Sequence, residues 1–522
     1  MLAAITVAQN TNGLAVTLRS LQAQTDTRWQ WCVVTGGDQQ LFQEVFEWAA
    51  ADPRVLVADG SSIPVAERLS AALSMADAEF LCVLGTGDTL DAGLVAVVRQ
   101  AESGSWLYTD EATPFAEGNG QQVWFKPEFN PELVRSQPYP VRSAVLPLTV
   151  VRQVGGLSPR AGTAQWYDLV LRVLERIGPP QHLTGPYYIR AAAQHVLPPP
   201  WIDGIAVDRC RAVGEHCDRQ DIELTEIAPI EVAGRPIGQR LVRRRTTATR
   251  VSIVIPTRGS SSTIYGFPRC HVVELIESMW TESRYPNLEL VVVYDQDTPA
   301  AVLDRLRAIT DGEIVLLPFI GSFHYSRKCN QGASAATGDY LCFLNDDMRV
   351  VTPDWLHELV SLLADPTVGA VGAKLLFADG TLQHAGHIYN GGSAGHLLFG
   401  HRSDTLEMGG IAQLTGERSG VTGACLLMRA GEFRELGGFS LMFPLNYNDV
   451  DLCLKIREGG LRILYTPHAV LDHYESQTRV ARIDPAETER LQRRWRVAMH
   501  KDPMLNPLER LPVVPRPDAL EF

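Results

Sequence analysis

At 522 residues, with 45% apolar and 20% charged side chains, the chain is too long for one ordinary core and too apolar for a disordered or fibrous protein, so two to four soluble domains are expected. A formal charge of -13 argues against a general nucleic-acid binder. Nine cysteines scattered without framework spacing argue against a disulfide scaffold and fit reduced, buried thiols.

The opening stretch "MLAAITVAQNTN" carries neither the charged nor the cleavable part of a signal peptide, and no apolar run reaches the roughly 18 residues of a membrane helix. A cytoplasmic location is therefore expected. "AAITVAQ" reads as a strand, "LRSLQAQTDTRWQWCVVTGG" from Leu18 as helix, loop and strand, and "FLCVLGTGDTL" from Phe80 as a buried strand entering a polar turn. "VGGLSP" from Val154 and the amphipathic "YDLVLRVLE" from Tyr167 follow.

The same series then recurs. "LCVL" at 81–84 returns as "LCFL" at 341–344, an offset of 341 − 81 = 260 residues. Around it stand "RVSIVIPT", "IESMWTESRYPNLELVVVYDQD" from Ile276, "LGGFSL" from Leu436 and "VDLCLKIRE" from Val450, each answering its counterpart in the first copy. Short β-branched runs alternating with helices predict βαβ units, a mostly parallel sheet in each copy, and ligands at the carboxyl ends of the strands. Between the copies, "AAAQHVLPPPWIDGI" and the basic "RLVRRRTTATR" from Arg240 carry linker signals, and the basic cluster suits phosphate or an anionic membrane surface. Cys210, His216 and Cys217 lack the second ligand pair of a zinc site and read as loop. The expected division is 1–200, a linker 201–247, 248–480, and a helical tail 481–522, Asp-capped at Asp484 with Leu491 and Trp495 on one face.

The chemistry is concentrated in the second copy. Asp346 and Asp347 follow the strand "YLCFLN", where hard carboxylate oxygens suit Mg²⁺ or Mn²⁺ shared with substrate phosphates. Asp449 and Asp451 open an amphipathic helix; carboxylates there also favour a helix N-terminus, and Asp451 has its counterpart in Asp168 of the first copy. Asp449 has none, and a carboxylate near a divalent ion but distinct from its ligands is placed to take a proton from a hydroxyl. "PHAVLDHYES" supplies His468 and His473, either of which could complete a metal shell. His384, His387, His396 and His401 are spread over a Gly-rich segment without metal spacing, expected to be a mobile acceptor-side loop.

Taken together, "VSIVIPTRG", "SFHYSRKCNQGASAATGDYLCFLNDD", "VTGACLLMR", "NDVDLCLK" and "HYES" resemble, in order and spacing, the inverting family 2 glycosyltransferases of the GT-A fold, in particular bacterial rhamnosyltransferase-like enzymes of O-antigen and surface-polysaccharide synthesis. The resemblance covers nearly all of 250–480. It implies two tandem GT-A-like, Rossmann-like α/β domains, the first degenerate, plus the helical tail. It implies that Pro256, Thr257, Arg258 and Asp295 line a nucleotide pocket, and that Arg327 and Asn330 hold base or diphosphate. Asn345 and Asp346 would contact ribose, diphosphate or metal, Asp347 and His473 would bind Mn²⁺ or Mg²⁺, Asp449 would be the base, and Asp451 counts with the substrate-binding residues. Asn345 departs from the aspartate usual at the first position of the metal motif.

The implied partners are a nucleotide-sugar donor (dTDP-rhamnose, or a UDP- or GDP-sugar) and a glycan or lipid-linked acceptor, with peripheral association at the inner membrane face and homodimerisation as further expectations. In the first copy Gly85, Thr86 and Gly87 stand where Asn345, Asp346 and Asp347 do, Ser70 replaces Asn330 and Trp166 replaces Asp449. Only Asp88, one residue later, and the pair Asp110 and Glu111 remain there, so a scaffolding, acceptor-binding or dimerisation role is expected. The alternatives are a non-catalytic carbohydrate-binding or assembly module, and a nucleotidyltransferase, for which "PTRGSSS" is a poor phosphate loop.

Overall fold

The computed structural model describes residues 1–522 except 9–12, 103, 116–119, 192–204, 265–266, 475–483 and 510–522. Two compact units emerge. One comprises Met1–Leu241, Leu406–Gly410 and Leu505–Glu509, the other Val242–Thr405 and Ile411–Met504.

In the first unit the main sheet runs in the order Val55–Asp59, Trp29–Thr35, Leu2–Ala8, Phe80–Val83, Val145–Pro147, Leu107–Pro114, Gln181–Ile189, Thr89–Leu90. In the second it runs Val315–Phe319, Leu288–Asp295, Val251–Thr257, Tyr340–Leu344, Cys425–Arg429, Val368–Leu376, Arg462–His473, Met348–Val350. Position by position the pairing sense agrees: the first four strands are parallel, the fifth is antiparallel to both neighbours, the sixth and seventh are parallel and the last is antiparallel. Each sheet is thus mixed, where mostly parallel sheets were expected. The antiparallel strands follow connections that return the chain along the sheet without a βαβ crossover.

Period-2 alternation explains how the second sheet is covered. Ile253, Ile255 and Val292 join one core with helices His271–Glu282 and Trp355–Leu363. Val254 and Val293, on alternate positions, meet helix Tyr325–Ala335, where a Cβ on Gly332 would lie 2.4 Å from Val254 Cγ1. Glycine is required there for the helix to sit directly on the strand.

The segment 201–247 is not simply a linker. Its described part contains helix Ala206–Arg219 and a hairpin of Leu224–Val232 with Arg235–Arg243, which incorporates the first arginines of the basic cluster. Cys210, His216 and Cys217 lie on this helix, not in a loop; His216 pairs with Glu175 at 2.6 Å, and the three are not among the metal-spaced groups of the described residues. The proline-rich stretch lies outside the described residues. In the tail, Asp484 caps helix Pro485–Trp495 through the Ala486 N–H, and Leu491, Trp495 and Met499 pack with Phe443, Val450 and Leu454. The helix ends there, and Leu505–Glu509 belongs to the first unit. Among the described residues no helix is long and apolar enough to cross a membrane.

Candidate active site

Strand Val251–Thr257 ends at the centre of the second sheet, between the ends of Leu288–Asp295 and Tyr340–Leu344, and it brings three predicted residues together. Thr257 accepts the Gly259 N–H at 2.9 Å and donates its hydroxyl to Asp346 Oδ2 at 2.6 Å. Asp295 lies 3.7 Å from the exposed Arg258 guanidinium, which also covers the Phe323 ring. Pro256 is a buried strand residue.

Beneath them sits Lys328, which sequence reasoning passed over. Its buried ammonium donates to Asp295 Oδ1 at 2.7 Å and to the Thr257 carbonyl at 2.5 Å. Burial pulls its basicity down, against the opposing pull of Asp295 and Asp346. The available signal was a lysine on the same face of helix Tyr325–Ala335 as the small core residues, since lysine is almost never fully buried unless paired. Arg327 is exposed on that helix, over the Phe319 ring.

Antiparallel pairing of Met348–Val350 with Arg462–His473 sets His473 opposite Met348, and so beside Asp347. His473 Nε2 is 3.1 Å from Asp347 Oδ1 and 3.5 Å from Asn345 Nδ2. Two adjacent ligands of an octahedral ion with bonds of about 2.1 Å stand roughly 3 Å apart, so this oxygen and nitrogen are spaced to share one cation. Burial raises the Asp347 carboxyl, but His473, aided by His271, outweighs it and holds the group below its ordinary range. Asp346 is raised instead, by burial and by the charge of Asp347. His468, the other histidine weighed for this role, lies on the same strand five residues earlier.

Asp449 enters from the first turn of helix Asn448–Glu458, after Tyr447 in a left-handed conformation (φ 60°). Its Oδ2 accepts the Gly423 N–H at 2.9 Å and its Oδ1 the Val450 N–H at 2.8 Å. Segment 421–424 also reaches the metal-motif turn, because the Asn345 N–H donates to Ala424 O at 3.0 Å. Tyr325 donates its hydroxyl to Gly423 O at 2.8 Å, and after burial it is the charges of Cys329, Asp449 and Asp347 that raise it further. Segment 421–424 thus holds both Asp449 and the turn at Asn345 that leads to Asp347.

Two expected residues do not join them. Asp451 is fully buried facing the tail helix, where its Oδ1 accepts the Trp495 indole N–H at 2.8 Å and lies 3.2 Å from Arg494. Residues two apart on a helix point about 200° apart, so Asp449 and Asp451 cannot serve one site. Asn330 has its side-chain amide taken up by Phe439, donating to its carbonyl and accepting its N–H, both at 2.9 Å. It clamps a loop.

The Gly-rich histidine segment is ordered as a hairpin. Strands His387–Asn390 and Ser393–His396 pair antiparallel across Gly391 and Gly392, both at positive φ, which fits a two-residue turn of the kind Asn-Gly and Gly-Gly favour. "YNGGSA" was the signal for it. The hairpin sets His387 opposite His396, and with His384 they form three mutually perpendicular rings with centroids 5.0–5.4 Å apart.

Residues 249–498 match the family model described as "Glycosyltransferase like family 2". The O-antigen biosynthesis protein RfbC of Myxococcus xanthus is 33% identical over 478 residues, covering 89% of this chain and 36% of that protein. "Uncharacterized protein y4gI" of Sinorhizobium fredii is 30% identical over 522 residues, covering 94% and 55% respectively. The chain therefore spans about a third to a half of the length of these relatives. A solved mannosyltransferase from Pyrobaculum calidifontis, in complex with GDP-Man and Mn²⁺, is similar over 49% of this chain and 65% of its own, with 19% identity and a TM-score of 0.33.

Proposed function

We propose that the chain, whose residues 249–498 match the model of the glycosyltransferase-like family 2, transfers a sugar, with inversion, from a nucleotide-sugar donor to a hydroxyl of a glycan or lipid-linked acceptor in cell-surface polysaccharide synthesis. The observation that supports this reading is the Asp347–His473 pair together with the hydrogen bonds that tie segment 421–424 both to Asp449 and to Asn345, two residues before Asp347. A non-catalytic module has no need of a carboxylate–imidazole pair set for a cation beside a second, separately held carboxylate.

Asp347 and His473 would hold the divalent ion, Mn²⁺ or Mg²⁺, which when bound neutralises charge growing on the departing diphosphate. The other roles fall to the chain itself. The Thr257–Asp346 and Lys328–Asp295 contacts fix the pocket floor for the nucleotide, and Arg258 stands exposed at its edge to meet base or phosphate. Asp449 is oriented by one backbone N–H on each oxygen, leaving further lone pairs to accept the acceptor's hydroxyl proton as that oxygen attacks the anomeric carbon from the face opposite the leaving group. A single displacement of this kind inverts the anomeric configuration.

The first unit is read as non-catalytic, and a location on the cytoplasmic membrane face and a homodimer remain part of the reading. The test is incubation with dTDP-rhamnose and a panel of UDP- and GDP-sugars with Mn²⁺ or Mg²⁺, following nucleotide release. Release by the native chain and its loss in Asp347→Asn and Asp449→Asn are expected. Neither donor binding nor release with any sugar nucleotide would favour the carbohydrate-binding module.

A further inference from the structure

The three-histidine cluster beside Asp449 has an order of its own. The Thr422 backbone N–H donates to His384 Nε2 at 3.1 Å, so that nitrogen carries a lone pair. His384 is neutral, since burial and then the neighbouring imidazoles hold it well below its ordinary value, and its proton is therefore on Nδ1. There it meets His396 Nδ1 at 2.7 Å, the spacing of one N–H···N hydrogen bond.

A cation among the three rings would need the His384 Nδ1 lone pair, which would turn an Nε2–H onto the Thr422 N–H. It would also need ligand nitrogens about 3.3 Å apart for bonds of about 2.0 Å. The cluster is a hydrogen-bonded array, not a metal cage.

His387 completes it. Its ring stands edge-to-face against both others, and its Nδ1 is buried against Gly420, with no hydrogen-bond partner among the described residues. An orphaned acceptor is better tolerated than an orphaned N–H, so the proton belongs on Nε2. That nitrogen faces Asp449 Oδ2 at 3.9 Å. The distance is beyond a hydrogen bond, but contacts of this kind are often long in unloaded enzymes and tighten when substrate binds.

We propose that His387 is a positioning residue: its neutral Nε2–H closes onto Asp449 Oδ2 in the loaded enzyme and fixes the carboxylate for proton abstraction, with His396 and His384 holding its ring. The titratable groups facing His387 are Asp449, His396 and His384. The proposal rests on Asp449 being the base.

The experiment compares His387→Phe with His387→Gln, whose amide N–H can reach the Nε2 position, using the nucleotide sugar that the panel identifies. His387→Phe should lower kcat about tenfold or more at unchanged KM for the donor and unchanged Mn²⁺ affinity. It should also move the acid limb of the pH–rate profile upward, because a carboxylate that loses a donor is easier to protonate. His387→Gln should restore most of both. An unchanged kcat and acid limb in His387→Phe, or Gln as damaging as Phe, would overturn the proposal.

Should the Phe variant not fold, ¹⁵N-histidine spectra of the native chain decide. A neutral Nε2–H tautomer at His387 and Nδ1–H at His384 are expected, unchanged by one equivalent of Zn²⁺; an Nδ1–H tautomer at His387, or Zn²⁺ capture by the three rings, would sink the idea. Asp449→Asn, run in parallel, separates the two failures. Full activity in that variant removes the base reading, whereas its inactivity beside an unaffected His387→Phe removes this proposal alone.

Discussion

Trp495 donates its indole N–H to Asp451 Oδ1 at 2.8 Å, fastening helix Pro485–Trp495 to the helix whose first turn carries Asp449. Glu487, at the other end of the same tail helix, accepts the Leu445 and Asn446 N–H groups and the Asn446 side-chain amide at 2.6–3.2 Å. The tail thus holds the Asp449-bearing helix at two places, one on its buried face and one on the loop that leads into it.

Trp495→Phe keeps the ring but removes a hydrogen bond to a buried carboxylate, which is worth about 1.5–3 kcal/mol. We expect a lowered urea midpoint with unchanged slope and a kcat for nucleotide release reduced more than donor KM is raised. An unchanged midpoint would mean that Arg494 and Lys455 alone satisfy Asp451.

Lys328→Met tests the pocket floor. The native ammonium serves Asp295 and the Thr257 carbonyl at once, and removing one partner of a buried ion pair strands the other, typically at about 3–5 kcal/mol. The expected outcome is a strongly destabilised chain with weakened nucleoside-diphosphate binding by calorimetry, whereas Lys328→Arg is too large for the site and should not rescue it. Wild-type stability in Lys328→Met would contradict the pairing.

What the chain revealed before folding depended on the range of each interaction. Asp347 was legible because a strand entering an acidic turn is a local pattern, and the internal copy with Gly87 in its place sharpened it. That His473 stands beside Asp347 depends on strand pairing across more than a hundred residues, which no local pattern encodes; the residues alone left His468 and His473 as alternatives, and the family resemblance singled out His473. The bonds that engage Asn330 and Asp451 were illegible for the same reason, because their partners Phe439 and Trp495 arrive from distant segments. The 200° separation of Asp449 and Asp451 was available from helix geometry alone, as was the Asn-Gly-Gly turn that gathers the histidines.

A pH dependence is expected from the first unit. His182 is buried between Asp110 and Glu128, at 3.1 and 3.2 Å, and stacks on Tyr108. Burial works against its charge, but the two carboxylates outweigh it and raise the imidazole above its ordinary value. A raised native value means that the charged ring's stabilisation is complete below the unfolded value of about 6.5 and is lost as pH rises through the native one. The unfolding free energy from urea titrations should therefore fall between pH 6.5 and the alkaline side of that native value, by at most about 1.4 kcal/mol per pH unit from this group, and His182→Gln should flatten the dependence. A profile unchanged by the substitution would show that the ring is neutral throughout.

The first unit should also resist conversion into a second metal site. Asp88 lies one residue past the position of Asp347, and its carboxylate is already engaged: Oδ2 accepts the Tyr188 hydroxyl at 2.6 Å and Oδ1 the Ala191 N–H at 2.8 Å. That carboxylate also occupies the space a side chain at Gly85 would need, since a Cβ there would lie 2.5 Å from Asp88 Oδ2. Gly87, where Asp347 stands in the second copy, adopts φ +85°, which an aspartate tolerates only at a cost. Asp88→Asn should therefore cost about 1–3 kcal/mol of stability and leave nucleotide release and Mn²⁺ stoichiometry unchanged. Gly87→Asp should destabilise the unit without adding a Mn²⁺ equivalent by calorimetry. A second equivalent in that variant, or loss of turnover in a folded Asp88→Asn chain, would show that the first strand end retains ligand chemistry that its internal hydrogen bonds otherwise close off.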